Sequence, residues 1–193
     1  MKIEPLLNGI SYFREPGVFP CTTDSVALCA FADFPENSHV CDLGCGGGVI
    51  MLLLAGMHPK ISLLGIELDE ASAKCARFNI EKNILSDRLS VINGDLKHSG
   101  ELFGYGVFDA VVSNPPYFSL QSGAVSPGSG NARSELYCDI SDVCSAASDL
   151  LKSGGSFFVV YRSERLSDLL TALKKSGLSS VCLQYGVHDE GLP

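Results

Sequence analysis

The sequence predicts an α/β fold, a doubly wound and mostly parallel sheet with helices on both faces. Three observations carry that prediction. Apolar runs of strand length alternate with stretches of helical spacing along most of the chain. The first of these strands runs directly into a cluster of glycines. The polar residues best suited to chemistry fall just after strands, where ligands bind in open parallel sheets.

The elements follow in order. The first 37 residues form a preface packing on the sheet, in which Thr22 or Thr23 caps a short helix, DSVALCAF. Residues 38–43 (SHVCDL) read as a buried strand and 48–57 (GVIMLLLAGM) as an apolar helix. A second strand is expected at 61–66 (ISLLGI). The helix after it, DEASAKCARFNIEKN, sets Ala71, Cys75 and Phe78, with Ala76, on one stripe. Residues 89–93 make a third strand and 107–113 a fourth. ISDVCSAASDLLKSGG places Ile140, Val143, Ala147 and Leu150 at helical spacing, and its glycines supply a stop. SFFVVY at 156–161 is the fifth strand. Leu166, Leu169, Leu170 and Leu173 mark a helix ended by Gly177, and a sixth strand is expected around 179–185. Right-handed crossovers then set the winding. The segment 118–135, rich in Ser, Gly and Pro, breaks the rhythm and reads as a substrate-side loop.

Composition narrows the function. The 193 residues suit one domain, and 46% hydrophobic with 19% charged residues indicates a globular, soluble chain. No apolar run spans a membrane, and the N-terminus is no secretory signal, so the expected location is cytoplasmic, with no membrane partner. Eight cysteines without a C-x-x-C pair read as buried free thiols. The four histidines are scattered, so no metal site is expected. A net charge of −8 argues against holding nucleic acid by bulk charge. The oligomeric state is left open.

Three strand ends suggest a nucleoside cofactor. Asp42-Leu43-Gly44-Cys45-Gly46-Gly47-Gly48 follows the first strand, and its glycines let backbone approach a ligand closely. Gly44 and Gly46 fit G-x-G, but Val49 stands where a dinucleotide motif needs its third glycine, and the G-K-[ST] of a phosphate loop is absent. An acid before the glycines would repel a phosphate; it suits a ligand carrying positive charge. Glu67, at the end of the second strand, can accept ribose hydroxyls. Asp95, after the third, can meet an adenine edge. The fourth strand runs into Asn114-Pro115-Pro116-Tyr117.

Together these motifs resemble the class I S-adenosylmethionine-dependent methyltransferases, and N-P-P-Y resembles their amino-methylating branch. FPCTTDSVALCAF (19–31) is similar to the T-D-x-x-L-L segment of bacterial tRNA adenine-N6 methyltransferases acting beside the anticodon of a valine tRNA. Ala132-Arg133-Ser134-Glu135 resembles their A-R-H-E with serine for histidine, and SGGSFFVVYRSERL resembles their fifth strand and the helix start after it. The resemblance implies a Rossmann-like methyltransferase sheet whose last antiparallel strand is missing from this chain. It implies S-adenosyl-L-methionine as cofactor, held by Thr23, Asp42, Leu43, Gly44, Gly46, Glu67, Leu68, Asp95, Leu96 and Asn114. It implies that Asn114 and the Pro115 carbonyl accept the hydrogens of the target amine, that Pro115 and Pro116 stiffen the backbone, and that Tyr117 stacks on the planar substrate. Adenine N6 in tRNA is the expected target, with Lys2, Arg14, Arg133, Arg162 and Arg165 as its candidate contacts. Glutamine N5 of a release factor, adenine in DNA, and a cofactor-binding module without catalysis remain the alternatives.

Overall fold

The computed structural model describes residues 1–115 and 138–186. Strands β1 (Lys2–Pro5) and β2 (Ser11–Arg14) form an antiparallel hairpin. Helix α1 (Thr23–Phe31) follows, and of the two candidate caps it uses Thr22, whose side chain accepts from the Ser25 N–H. The alternating part then runs β3 (His39–Leu43), α2 (Val49–Met57), β4 (Ser62–Glu67), α3 (Glu70–Lys82), β5 (Leu89–Asn93), α4 (Ser99–Phe103), β6 (Phe108–Ser113), α5 (Ile140–Leu150), β7 (Leu151–Val159) and α6 (Leu166–Lys175). Asp69 caps α3, and Asp139 with Asp142 closes a capping box on α5, so both helices begin where the sequence supplies an acceptor.

The sheet order is β5-β4-β3-β6-β7, every neighbouring pair parallel. The chain winds outward from β3 to β5, then returns to place β6 on the other side of β3. That reversal makes the β3–β6 boundary the switch point. Alternate residues feed two cores. Val40, Leu63, Val91, Ala110 and Val112 pack with α1, α2 and α3, whereas Cys41, Leu43, Ile66, Phe108 and Val111 pack with α5 and α6. The hairpin stays outside the sheet. It adds buried Tyr12 to the first core and lies along α3, where Phe13 meets the Phe78 ring edge-on at 5.8 Å.

Three expectations are corrected. The sixth strand is not formed. Residues 178–186 carry no strand, and Val181 and Tyr185 are exposed, because an alternating pattern becomes a strand only where a neighbour takes its backbone bonds. The fifth strand begins at Leu151 rather than 156 and ends at Val159. The glycines meant to stop α5 lie inside it. Leu151 pairs with Phe108 and Ser156 with Ala110, so the extra residues bulge out around Gly154, at φ +79°. On α3 the buried stripe is Ala73, Cys75, Ala76, Asn79 and Ile80, and Ala71 is exposed. A polar residue inside that stripe escaped a reading by hydrophobicity.

Candidate functional site

The glycine segment joins β3 to α2 as a turn with positive φ at Gly44, Gly46 and Gly48, which explains glycine at alternate positions. Gly47 is required for a different reason. A Cβ there would run into the hydroxyl of Tyr12 and come within 2.7 Å of Val18. The turn is tied down on several sides. The N–H groups of Gly44 and Cys45 donate to the Ile66 carbonyl at 2.9 and 3.1 Å. The Gly46 N–H donates to the Glu67 carboxylate at 2.8 Å.

Beneath the turn lies Asp42, fully buried, with neither carboxylate oxygen partnered. Burial pushes its pKa up to about 8, and the neighbouring Glu67 adds to the rise. A buried carboxylate without a donor is costly, and Asp42 can relieve that cost by taking up a cation or a hydrogen-bond donor. Glu67 is also raised by burial, offset by the N–H groups of Asp69 and Gly46 that it accepts. It therefore braces the turn through both of its carboxylate oxygens.

Across the switch point, the Ser113 hydroxyl donates to the Leu43 carbonyl at 2.8 Å and locks the two strand ends together. Asn114 follows at once. Its Nδ2 donates to the Ser25 hydroxyl on α1 at 3.4 Å, and that hydroxyl lies 3.1 Å from Thr22 Oγ1. The amide's nitrogen end is thereby turned toward α1. Pro115 is buried. Pro116, Tyr117, Arg133 and the loop 118–135 lie outside the described residues.

The remaining expected residues divide. Leu43 is core, with its carbonyl at the switch point. Leu68 is exposed beside Glu67, and Leu96 is half-buried in the turn after β5, so these two can offer apolar surface at the rim. Asp95 caps that turn through the Lys97 N–H at 3.0 Å. Thr23 is exposed at the start of α1. Arg14 pairs with Glu4 at 2.9 Å and Arg165 with Asp168 at 3.1 Å. Among the described residues, no group of three His, Cys, Asp or Glu side chains could hold a metal, and no helix is long and apolar enough to cross a membrane.

A family model described as methyltransferase small domain matches residues 10–176. The chain belongs to the methyltransferase small domain family. Within it, the chain is 37% identical over 153 residues to a tRNA1(Val) (adenine(37)-N6)-methyltransferase of Porphyromonas gingivalis, covering 76% of this chain and 60% of that protein. A protein of the same name from Bacteroides thetaiotaomicron is 31% identical over 153 residues, covering 78% and 62%. The chain thus spans about three-fifths of the length of these curated relatives. Among solved structures, TrmN from Thermus thermophilus superposes with a TM-score of 0.59 at 24% identity, over 77% of this chain and 40% of that one. A predicted O-methyltransferase from Agrobacterium tumefaciens gives 0.61 at 22%, over 78% and 67%. At these identities the structures speak for the fold, a Rossmann-like methyltransferase sheet.

For a methyltransferase small domain, the residues missed by sequence reasoning are Ser25, Asn79 and Ser113. All three are buried polar residues. Ser113 could have been suspected from its place before N-P-P-Y. Ser25 and Asn79 sit inside helices, where only the tertiary contacts reveal their partners.

Proposed function

We propose that the chain is an S-adenosylmethionine-dependent N-methyltransferase that modifies adenine N6 in tRNA. One juxtaposition carries the reading: the unpartnered Asp42 under the glycine turn and the oriented Asn114 amide, on adjacent strand ends at the switch point. The residues fit the cofactor. Asp42 suits positive charge, Glu67 offers carboxylate oxygens to ribose hydroxyls, and Leu68 and Leu96 offer apolar surface to adenine. The names of the relatives support tRNA as the substrate class. A cytoplasmic location agrees with such a substrate.

When bound, S-adenosylmethionine supplies the electrophilic methyl group. The chain's own residues prepare the acceptor. An exocyclic amine conjugated with a ring is a poor nucleophile. Asn114 Oδ1 and the Pro115 carbonyl accept its two hydrogens, which concentrates the lone pair on the side facing the glycine turn. The ring of Pro115 fixes φ at that residue, which helps to set the reacting geometry beforehand. Tyr117 stacks on the base. Once it has taken the methyl group from the sulfonium sulfur, the nitrogen is acidic and loses its proton to solvent, so no separate general base is needed. An adenine within RNA must leave its stack to reach Asn114.

Methyl transfer from labelled S-adenosylmethionine to unmodified total tRNA, release factor and duplex DNA tests this. Label in tRNA at adenine N6, lost in Asn114→Ala with cofactor affinity kept, is the expected result. Label in the protein alone would leave the N-methyltransferase chemistry and overturn the RNA assignment. No transfer to any acceptor, with cofactor still bound, would leave a binding module.

A further inference from the structure

The glycine turn is held from behind by Asn79 of α3, whose side chain is fully buried. Its Oδ1 accepts from the Phe13 N–H at 2.7 Å, and its Nδ2 donates to the Phe13 carbonyl at 3.0 Å. The amide thus pairs with both backbone groups of Phe13, as a residue on a neighbouring strand would. The same Nδ2 donates to the Gly47 carbonyl at 3.0 Å. That carbonyl belongs to the peptide whose N–H is Gly48, and the Gly48 N–H donates to the Cys45 carbonyl at 2.9 Å. Both polar ends of one rigid plane are therefore clamped. Glycines flank this plane and have no side chains of their own to restrain it, so its orientation comes from these two bonds. It is the peptide leading into Gly48, the N-cap of α2, whose first N–H groups open toward the strand end where ligands bind.

We infer that Asn79 is a positioning residue for the cofactor: it fixes the Gly47–Gly48 peptide and makes the N-terminal hairpin a working part of the cofactor cradle. The contact of Tyr12 with Gly47 serves the same junction from the other side. Asn83, one turn further along α3, supplies the control. It accepts from the Ser11 N–H at 2.9 Å and donates to the Ser11 carbonyl at 2.8 Å, the same latch on the same hairpin. Its third bond goes to the Asn79 carbonyl of its own helix, not to the glycine turn. The two asparagines thus separate holding the hairpin from orienting the turn.

The inference rests on S-adenosylmethionine binding at this turn. The test compares Asn79→Ala, Asn79→Asp and Asn83→Ala in the full chain. Cofactor affinity is measured by calorimetry and normalised to the folded fraction read from thermal melts. Asn79→Asp keeps the size and the acceptor for the Phe13 N–H but loses the donor to both the Gly47 and the Phe13 carbonyls, so it probes the turn with one hairpin bond kept, even where the alanine variant melts early. Both Asn79 variants should weaken cofactor binding about tenfold or more. They should raise KM for the cofactor more than they lower kcat at saturation. Asn83→Ala should lower Tm yet hold affinity within about twofold. Asn79 variants whose normalised affinity matches that of Asn83→Ala would overturn the inference and reduce Asn79 to a fold-holding residue. An unmodified chain that binds no S-adenosylmethionine would overturn the cofactor reading itself, and this inference with it.

Discussion

Asp42 is buried under the glycine turn with two unpartnered oxygens, and its ordinary pKa of 3.8 is pushed up to about 8. Burial is the main cause, and the neighbouring Glu67 carboxylate adds to it. A carboxyl whose folded pKa is raised contributes stability that is complete below the unfolded pKa and is lost as pH rises through the folded one. Asp42→Asn should therefore leave Tm at pH 4 unchanged and raise it at pH 8, by several degrees in a melt. A cationic cofactor needs the ionised form, so wild-type affinity should climb by up to about tenfold per pH unit between pH 6 and 8. Asp42→Asn should be weak and flat across that window, as calorimetry at several pH values would reveal. Ser25 acts on the other partner. Its hydroxyl receives the Asn114 amide nitrogen, which points Oδ1 away from α1. Ser25→Ala removes that restraint on the amide. Turnover should fall several-fold with cofactor affinity intact, and an unchanged kcat would remove Ser25 from the site.

At the scale of elements, the hairpin, the glycine turn and α3 form one junction. Tyr12 is fully buried against Gly47, and its hydroxyl donates to the Phe19 carbonyl at 2.7 Å. Gly47→Ala places a methyl where that ring lies, an overpacking costing roughly 1–3 kcal/mol. Denaturant titration should show that loss, and Tyr12→Ala in the same chain should recover part of it, since neighbours in contact do not add. Additive effects would mean that the two elements do not press on one another. The α5–β7 junction carries a related lesson. Two glycines after a helical pattern promise a stop, yet α5 ends at Leu150 and the glycines shape a bulge on β7. A Cβ at Gly155 would come within 3.0 Å of the Asp109 carbonyl on β6. Close approach of the neighbouring strand, more than helix termination, calls for glycine there.

For the whole molecule, the net charge of −8 sets the terms on which the proposed tRNA substrate would be held. Two of the expected cationic contacts, Arg14 and Arg165, are paired with acids of the chain. RNA affinity should therefore fall with salt on a shallow slope, equivalent to about three phosphates or fewer. Filter binding of unmodified tRNA from 50 to 200 mM salt, roughly the range over which counterion release is read, would show it. A slope of about eight phosphates would require a basic surface beyond the residues named here.

Much of this protein was legible in its sequence because local chemistry and the sheet's topology agree. Apolar runs marked the five strands of the parallel sheet, the glycines after the first of them marked a sharp turn, and the acids at strand ends had to gather where parallel strands finish, whereas the N-terminal hairpin went unread. The nature of the family was carried by D-L-G-C-G-G-G and N-P-P-Y, segments in which one residue's role depends on its immediate neighbours. What only the tertiary structure decided are matters of partnership. Residues 179–185 have a strand's pattern and no strand, because pairing requires a neighbour. Asp42 looks like any acid until its burial leaves it without a donor. Asn79, 66 residues from Phe13, is a polar residue in a helix until folding makes it the clamp between hairpin and turn. A hydrogen bond between residues so distant in sequence leaves no local periodicity, so it exists as information only once the chain has folded.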